Sequence, residues 1–532
     1  MKRMHAIPNL LLLVVITSIA TAAVAQKSGG TLKRSVRENP PSASLWEESA
    51  TSTIQTYMPV FNNLVIFDQQ DEKARPESIK PDLATEWSWS PDNTVLTLKL
   101  RQGVKWHDGK PFTSADVKCT FDTLLKKRNS NWRKIPREAW YTNLKDVTAV
   151  NPYEVRLTLG RPQPSFLSFL ASGWTAMYPC HVDGRVMRQK PIGTGPFKVA
   201  ESGGKDLIRL VKNTDYWKPG RPYLDGIDNR VVHSMSTRVL SFMAGEFDMT
   251  GISDINSTNT VKDILKQAPK ASCKSNATPT TSIMIINYGV PPFDNPKVRR
   301  AISLALDREA FAATTQGDGR VGAMLLQPPY GVWGLSNEQL AKVPGYGKNR
   351  QRDLAEARKL MAEAGYGPNK KLKTSYMTRL SIASGLVGAS LMSDQLRSIY
   401  IEGDIEQKEY TIFQGAMMKG AYQLGYHSTA AALDDPDIIF YEKFKCGSMR
   451  NYAHYCNAET DRLIDEQSSA VDPVKRKKLV QALELKVMQD VALPTLYQST
   501  DKQCWYSHVK GFVKGANSGQ THLRMEDVWL DR

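Results

Sequence analysis

The sequence lacks the side-chain patterns on which most enzymes depend. Its eight histidines are isolated from one another. It contains no His-Glu-x-x-His zinc helix and no Gly-x-Ser-x-Gly nucleophile elbow. No Cys-x-x-Cys occurs, no histidines pair closely, and no spacing indicates a Cys–His nucleophile, so neither a metal site nor thiol catalysis is read from it. Adjacent acids such as Asp434 and Asp435 stand before Pro436 and read first as a turn. No run of five basic residues exists, although 70 lysines and arginines outnumber 54 acids and leave a net charge of +16. The densest basic cluster, Lys475 to Lys478, lies on a predicted helix and reads as a solvated face, so nucleic acid is not expected as a partner. Beyond residue 25 no long apolar segment appears, so the chain is not itself a channel or permease.

What is present is a long globular sequence. At 532 residues it exceeds one ordinary core, and two or three domains are expected. A hydrophobic content of 41% with 11 tryptophans excludes a disordered chain. Residues 1–25 read as a cleavable signal peptide: Lys2 and Arg3, a short apolar core from Leu10 to Ile16, then Ala23-Val24-Ala25 before Gln26. Loss of Lys2 and Arg3 with it takes the charge from +16 to +14. No cysteine follows the cleavage site, so no lipid anchor is implied. Six cysteines suit an oxidising compartment. Cys446 and Cys456 flank a short polar loop and form the best candidate pair. Cys119, Cys180, Cys273 and Cys504 allow three pairings that spacing does not separate.

Strand and helix signals alternate along the chain. Val95–Leu100 has the period of a half-buried strand, Asp108-Gly109 a tight turn, and Thr113-Ser114-Ala115-Asp116 a capping box before a helix bearing Val117, Phe121 and Leu124. Val147–Leu159 alternates again. Asp353–Gly365 and Ala389–Ile399 read as helices, with strands at Lys373–Tyr376 and Ile401–Gln407. That alternation predicts βαβ units and a largely parallel sheet. Gly317-Asp318-Gly319-Arg320-Val321-Gly322 has dinucleotide-loop spacing, but no helix pattern opens at Gly322 and Pro328-Pro329 fit a loop, so the cofactor reading is rejected and no cofactor is expected.

The stretch Thr280–Phe311 organises the rest. Ser282–Asn287 reads as a buried strand ended by Pro291 and Pro292. Asn295 can cap a helix with Pro296 at its first position, and Val298, Ala301, Ile302, Ala305 and Leu306 form one apolar stripe. Arg299, Arg300 and Asp307 stay off it. Asn287, Phe293 and Val298–Ala301, with the string LRQGVKWHDGKPFTSADV, Pro191–Phe197, Asn213–Asp225 and Ala244–Asp248, resemble the extracytoplasmic solute-binding proteins of ABC transporters, family 5, which serve peptides and nickel. The resemblance runs from about Tyr57 to Tyr497.

The resemblance implies an α/β, two-lobed periplasmic binding protein of type II, in the large peptide-binding class, with an extra subdomain in the first lobe. Lobe I is expected over 26–285 with an insert at about 60–185, lobe II over 286–491, and a return to lobe I over 492–532. Ser282–Asn287 would be the first crossing between lobes and Leu493–Tyr497 the return. The family often bridges cysteines where Cys446 and Cys456 stand, and gives His107 no catalytic role. A receptor of this kind without a lipid anchor implies a Gram-negative periplasm, a monomer, and an inner-membrane ABC permease and ATPase as partners. Arg379, soon after a second-lobe strand, matches the arginine that forks a ligand carboxylate in dipeptide-binding relatives. Those relatives hold the ligand's amino group with an aspartate upstream of an Asp-Pro-Asp turn. Here that turn is Asp435-Pro436-Asp437, Ala432 stands at the aspartate's spacing, and Asp434 is the substitute. Tyr426, in place of a tryptophan, His427, Trp46, Tyr57 and Trp174 complete the expected cleft. A short peptide is the leading ligand, followed by an organic acid and a nickel or metal chelate.

Overall fold

Two strands run through the molecule from one lobe to the other. The computed structural model describes residues 26–532 except 130, 201–205, 256, 317–318, 381–382 and 516–517. The expected signal peptide, with Lys2, Arg3, Leu10–Ile16 and Ala23-Val24-Ala25, lies outside the described residues, as do Gly317 and Asp318.

The first crossing strand, Ala271–Ile286, has 16 residues and so spans about 50 Å at about 3.3 Å per residue. It runs antiparallel to Thr495–Tyr506. Its second half, Thr280–Ile286, also pairs with Leu424–Ala430 of lobe II. At the lobe I end, Trp505 bridges Met249, and Met249 bridges Arg34. Arg34 belongs to a four-stranded sheet ordered Thr31–Val36, Gly226–Val231, Leu207–Lys212, Phe197–Val199. Lobe II is a five-stranded sheet ordered Ile401–Lys408, Leu372–Arg379, Leu424–Ala430, then the two crossing strands. Leu372–Arg379 is parallel to both neighbours, whereas both pairings of the first crossing strand are antiparallel. The sheet is therefore half parallel, not largely so, because one strand carries the chain out of lobe I and the other carries it back.

An antiparallel sheet inserted in lobe I is ordered Ala84–Trp89, Val95–Leu100, Glu154–Leu159, Leu144–Asn151. The alternation read over 147–159 is thus two strands, broken at Pro152-Tyr153. Helix Ser114–Leu124 packs against the sheet and opens on the expected capping box, with Asp116 Oδ2 accepting from the Thr113 N–H at 3.0 Å. His107 is structural: Nε2 lies 3.0 Å from the Gly195 carbonyl oxygen, and Nδ1 accepts from the Gly193 N–H at 3.3 Å. Burial pushes its imidazole down to about 4, so it is neutral at neutral pH. Gly193 and Gly195 are required by close approach, since a Cβ on Gly193 would lie 1.9 Å from the Val60 carbonyl oxygen.

Helix Pro296–Ala305 opens as read, with the Asn295 side chain accepting from the Lys297 N–H and Pro296 in the first turn. Val298, Ala301, Ile302 and Ala305 are fully buried against lobe II, the larger aliphatics contributing about 1.5–3 kcal/mol each. Arg299, off the apolar stripe, is nevertheless buried. Its guanidinium lies 3.9 Å over the Tyr288 ring and donates to the carbonyls of Phe293 and Asp294. The glycine-spaced loop packs on the return strand: Arg320 bridges Gln498, and a Cβ on Gly322 would meet the Gln498 side chain at 2.5 Å. Disulfides join Cys119 to Cys180, Cys273 to Cys504 and Cys446 to Cys456. Cys273 and Cys504 are register partners on the two crossing strands. No helix of the described residues is long and apolar enough to cross a membrane.

Candidate functional site

Between Ala277 and Thr281 the first crossing strand slips register against its partner, placing an irregularity where the lobes meet. A cavity of about 200 Å³ opens there, floored by Thr278, Thr280, Ser499 and Thr500. Lobe I supplies Arg37, Arg137 and Trp174 to its wall, and lobe II supplies Arg379, His427 and Arg450. Five lining residues are arginines, while among the described lining residues Asp501 is the single carboxylate.

Four of the arginines form two groups. In the first, strand Thr31–Val36 ends and delivers Arg37 and Glu38, while Arg379 is the last residue of its strand in lobe II. Arg379 Nη2 donates to Glu38 Oε2, and Arg37 Nε lies 3.5 Å from Glu38 Oε1. The Arg379 guanidinium stacks 4.1 Å over Tyr410. Burial works to raise the Glu38 carboxyl, but Arg37 and Arg379 carry it below its ordinary value. The Arg379–Glu38 pair joins one lobe to the other.

The second group surrounds Glu442, with Arg450 at 3.0 Å, Lys443 at 3.1 Å and Arg137 at 3.9 Å. Arg137 lies 3.5 Å over the Trp174 ring and donates to the Glu48 carbonyl at 2.9 Å. The disulfide-closed loop between Cys446 and Cys456 carries Arg450 and Tyr452 into the wall. Three cations around one carboxylate crowd each other. Burial, with Arg450 beside it, lowers the Lys443 ammonium to about 7. His427 sits between the two groups, its ring centroid 5.4 Å from Phe413 and 5.8 Å from Tyr452. Burial, then the charges of Lys443, Arg379 and Arg450, hold its imidazole well below 6.5, so it is neutral. The other charged liners are internally paired: Arg238 with Asp254 at 2.6 Å, and Asp501 with Lys514 at 2.6 Å.

Of the residues expected in the cleft, the structure brings Arg379, His427 and Trp174 to this cavity. Glu38 already occupies one arm of Arg379, so a ligand carboxylate would share that guanidinium with it. The other four do not line it. Tyr426 is core, its hydroxyl 3.1 Å from Ser282 Oγ and 2.9 Å from the Tyr497 hydroxyl, because its strand position faces the helix carrying Gly388. Asp434 turns away to accept from the Val332 N–H at 3.1 Å. The Asp435-Pro436-Asp437 turn is an N-cap, with Asp435 held by Arg476 at 2.8 Å and accepting from the Asp437 N–H. Trp46 is packed at 5.7 Å from both Trp132 and Tyr141, its N–H donating to the Ala176 carbonyl. Tyr57 lies within lobe I, its hydroxyl pushed up to about 12 by burial. Sequence reasoning missed Arg37, Arg137 and Arg450. They come from distant segments among 70 basic residues, and only Arg450 carries a cue, its place inside the Cys446–Cys456 loop.

This two-lobed arrangement around an inter-lobe cavity defines a solute-binding protein. The family of bacterial extracellular solute-binding proteins, family 5 Middle, matches residues 78–451, and the chain belongs to that family. It is 26% identical over 470 residues to di/tripeptide-binding protein 1 of Pseudomonas aeruginosa, covering 83% of each chain. It is also 26% identical over 424 residues to the glutathione-binding protein GsiB of Escherichia coli K12, covering 77% of this chain and 79% of that one. The fold matches the periplasmic binding protein DppA of Helicobacter pylori in complex with the peptide STSA, with a TM-score of 0.82, 24% identity, and coverage of 95% of this chain and 99% of that chain.

Proposed function

We propose that this protein is the periplasmic receptor of an ABC importer, capturing a short peptide between its lobes and presenting the closed form to an inner-membrane permease and ATPase. The observation that carries the reading is the cavity at the crossing strands, walled by both lobes and latched across them by Arg379 and Glu38. Such a site exists in full only when the lobes meet, so a ligand touching both walls shifts the open–closed equilibrium by its preference for the closed form. The peptide-binding relatives support the ligand class. In this reading the lobes divide as 26–285, 286–491 and 492–532, and the ligand is transported unchanged. The test is titration of purified protein with di- and tripeptides by calorimetry and X-ray scattering. Saturable binding with a smaller radius of gyration is expected. Turnover of a bound compound without any lobe closure overturns the reading.

A further inference from the structure

Resting on that reading, we infer that the ligand is a peptide-sized dianion whose two carboxylates are held by two separate groups in the cavity wall, one by Arg37 and Arg379 and the other by Arg137 and Arg450. The charge balance of the wall carries this. Glu38 is one carboxylate between two guanidinium groups, and Glu442 is one carboxylate among Arg137, Arg450 and Lys443. Each group therefore keeps a surplus of positive charge, while Arg238–Asp254 and Asp501–Lys514 cancel internally. Buried surplus charge is costly unless a partner meets it.

The donors that would meet it are already in place. Among the described residues, Arg379 Nε and the Thr429 hydroxyl are buried without a hydrogen-bond partner, and Arg37 Nε and Arg137 Nε reach their carboxylates only at 3.5 and 3.9 Å. Arg37, Arg137, Arg379 and Thr429 all line the cavity. Guanidinium groups suit carboxylates because two parallel N–H donors match two oxygens. Neutral rings link the two groups: Arg379 lies over Tyr410, Lys443 lies over Tyr452, and His427 is 5.8 Å from Tyr452, which together offer a surface for the ligand's middle. The converse is equally physical. A free ammonium would need a carboxylate, and the single lining one, Asp501, is taken by Lys514 at 2.6 Å. Ala430 and Ala431 line the wall near the position where an amino-group acid was expected, and Asp434 points elsewhere.

The test compares three matched ligands on the intact mature protein by calorimetry: N-acetyl-Ala-Glu, with two carboxylates and no ammonium; Ala-Glu; and Ala-Gln, a zwitterion. Affinity is expected to rise in the order Ala-Gln, Ala-Glu, N-acetyl-Ala-Glu, at least tenfold from first to last, and to fall with added salt for the dianion. Arg37→Gln and Arg137→Gln should each weaken N-acetyl-Ala-Glu at least tenfold, whereas only one of the two should weaken Ala-Gln to that extent, since a single carboxylate occupies a single group. Thermal melts of both variants separate lost folding from lost binding, and the wild-type comparison stands without them. Tighter binding of Ala-Gln than of N-acetyl-Ala-Glu overturns the dianion and leaves the peptide receptor standing. Failure of all three ligands and of a wider peptide panel to bind overturns both.

Discussion

Lys443 is an ammonium buried against Glu442 with Arg450 and Arg137 nearby, and its pKa is pulled down to about 7. Folded protein thus binds fewer protons there than unfolded chain between about pH 7 and 10.5, so stability gained from this residue grows as pH rises through that window and is absent below it. An anion docked beside Arg137 and Arg450 reverses the shift. Binding of N-acetyl-Ala-Glu at pH 7.5 is therefore expected to take up protons, read from calorimetric enthalpies in buffers of different ionisation heat, and Lys443→Met is expected to abolish the uptake. A buffer-independent enthalpy in the wild type would contradict this. Asp434 carries the opposite sign. Burial raises its carboxyl to about 7, so its contribution is present below its unfolded pKa and is lost as pH rises through 7. Asp434→Asn should stabilise the protein at pH 8 relative to pH 5 by about 1–3 kcal/mol in urea denaturation. Some slope should persist, because Glu484, which accepts from the Leu325 and Leu335 N–H groups, is also raised by burial to about 7.

At the scale of elements, two glycines separate close approach from plain permissiveness. Gly193 abuts the backbone of Val60, and Gly193→Ala is expected to cost about 3 kcal/mol or more, since backbone has to move. Gly415 lies inside helix Tyr410–Lys419 with nothing near its would-be Cβ, so Gly415→Ala should stabilise by about 0.5–1 kcal/mol. Thermal melts of the pair check both signs. The same contrast explains what was legible. Helix Pro296–Ala305 could be read because its cap, its proline and its apolar stripe are local signals. Ala271–Ile286 was visible only from Ser282 onward. Its first half, Ala271–Ala277, is polar and half exposed, held by pairing with residues more than 200 positions away. Tyr426 was misread for a related reason: a strand side chain has two faces, and only the packed helix decides which is core.

For the whole molecule, the lobes were legible from motif order, whereas the cavity was not, since its arginines meet only when distant segments fold together. Across the lobes run Arg379–Glu38, Arg137–Glu442 and Arg161–Asp465, the last at 2.8 Å. This arrangement of the lobes is thus tied by charge, and Glu38→Gln, which unties one latch, should enlarge the unliganded radius of gyration in scattering while leaving the liganded value unchanged. An unaltered unliganded profile would show that this pair does not hold the lobes. The Cys273–Cys504 bridge bears on how such opening proceeds. It rivets the two connecting ribbons at their lobe I end, so they cannot shear past one another there, and the bending falls on the loosened segment around Thr278 to Thr280. A gate mounted on a fixed pin swings through one arc whatever enters it, and the permease then meets a single repeatable posture instead of a family of half-shut ones.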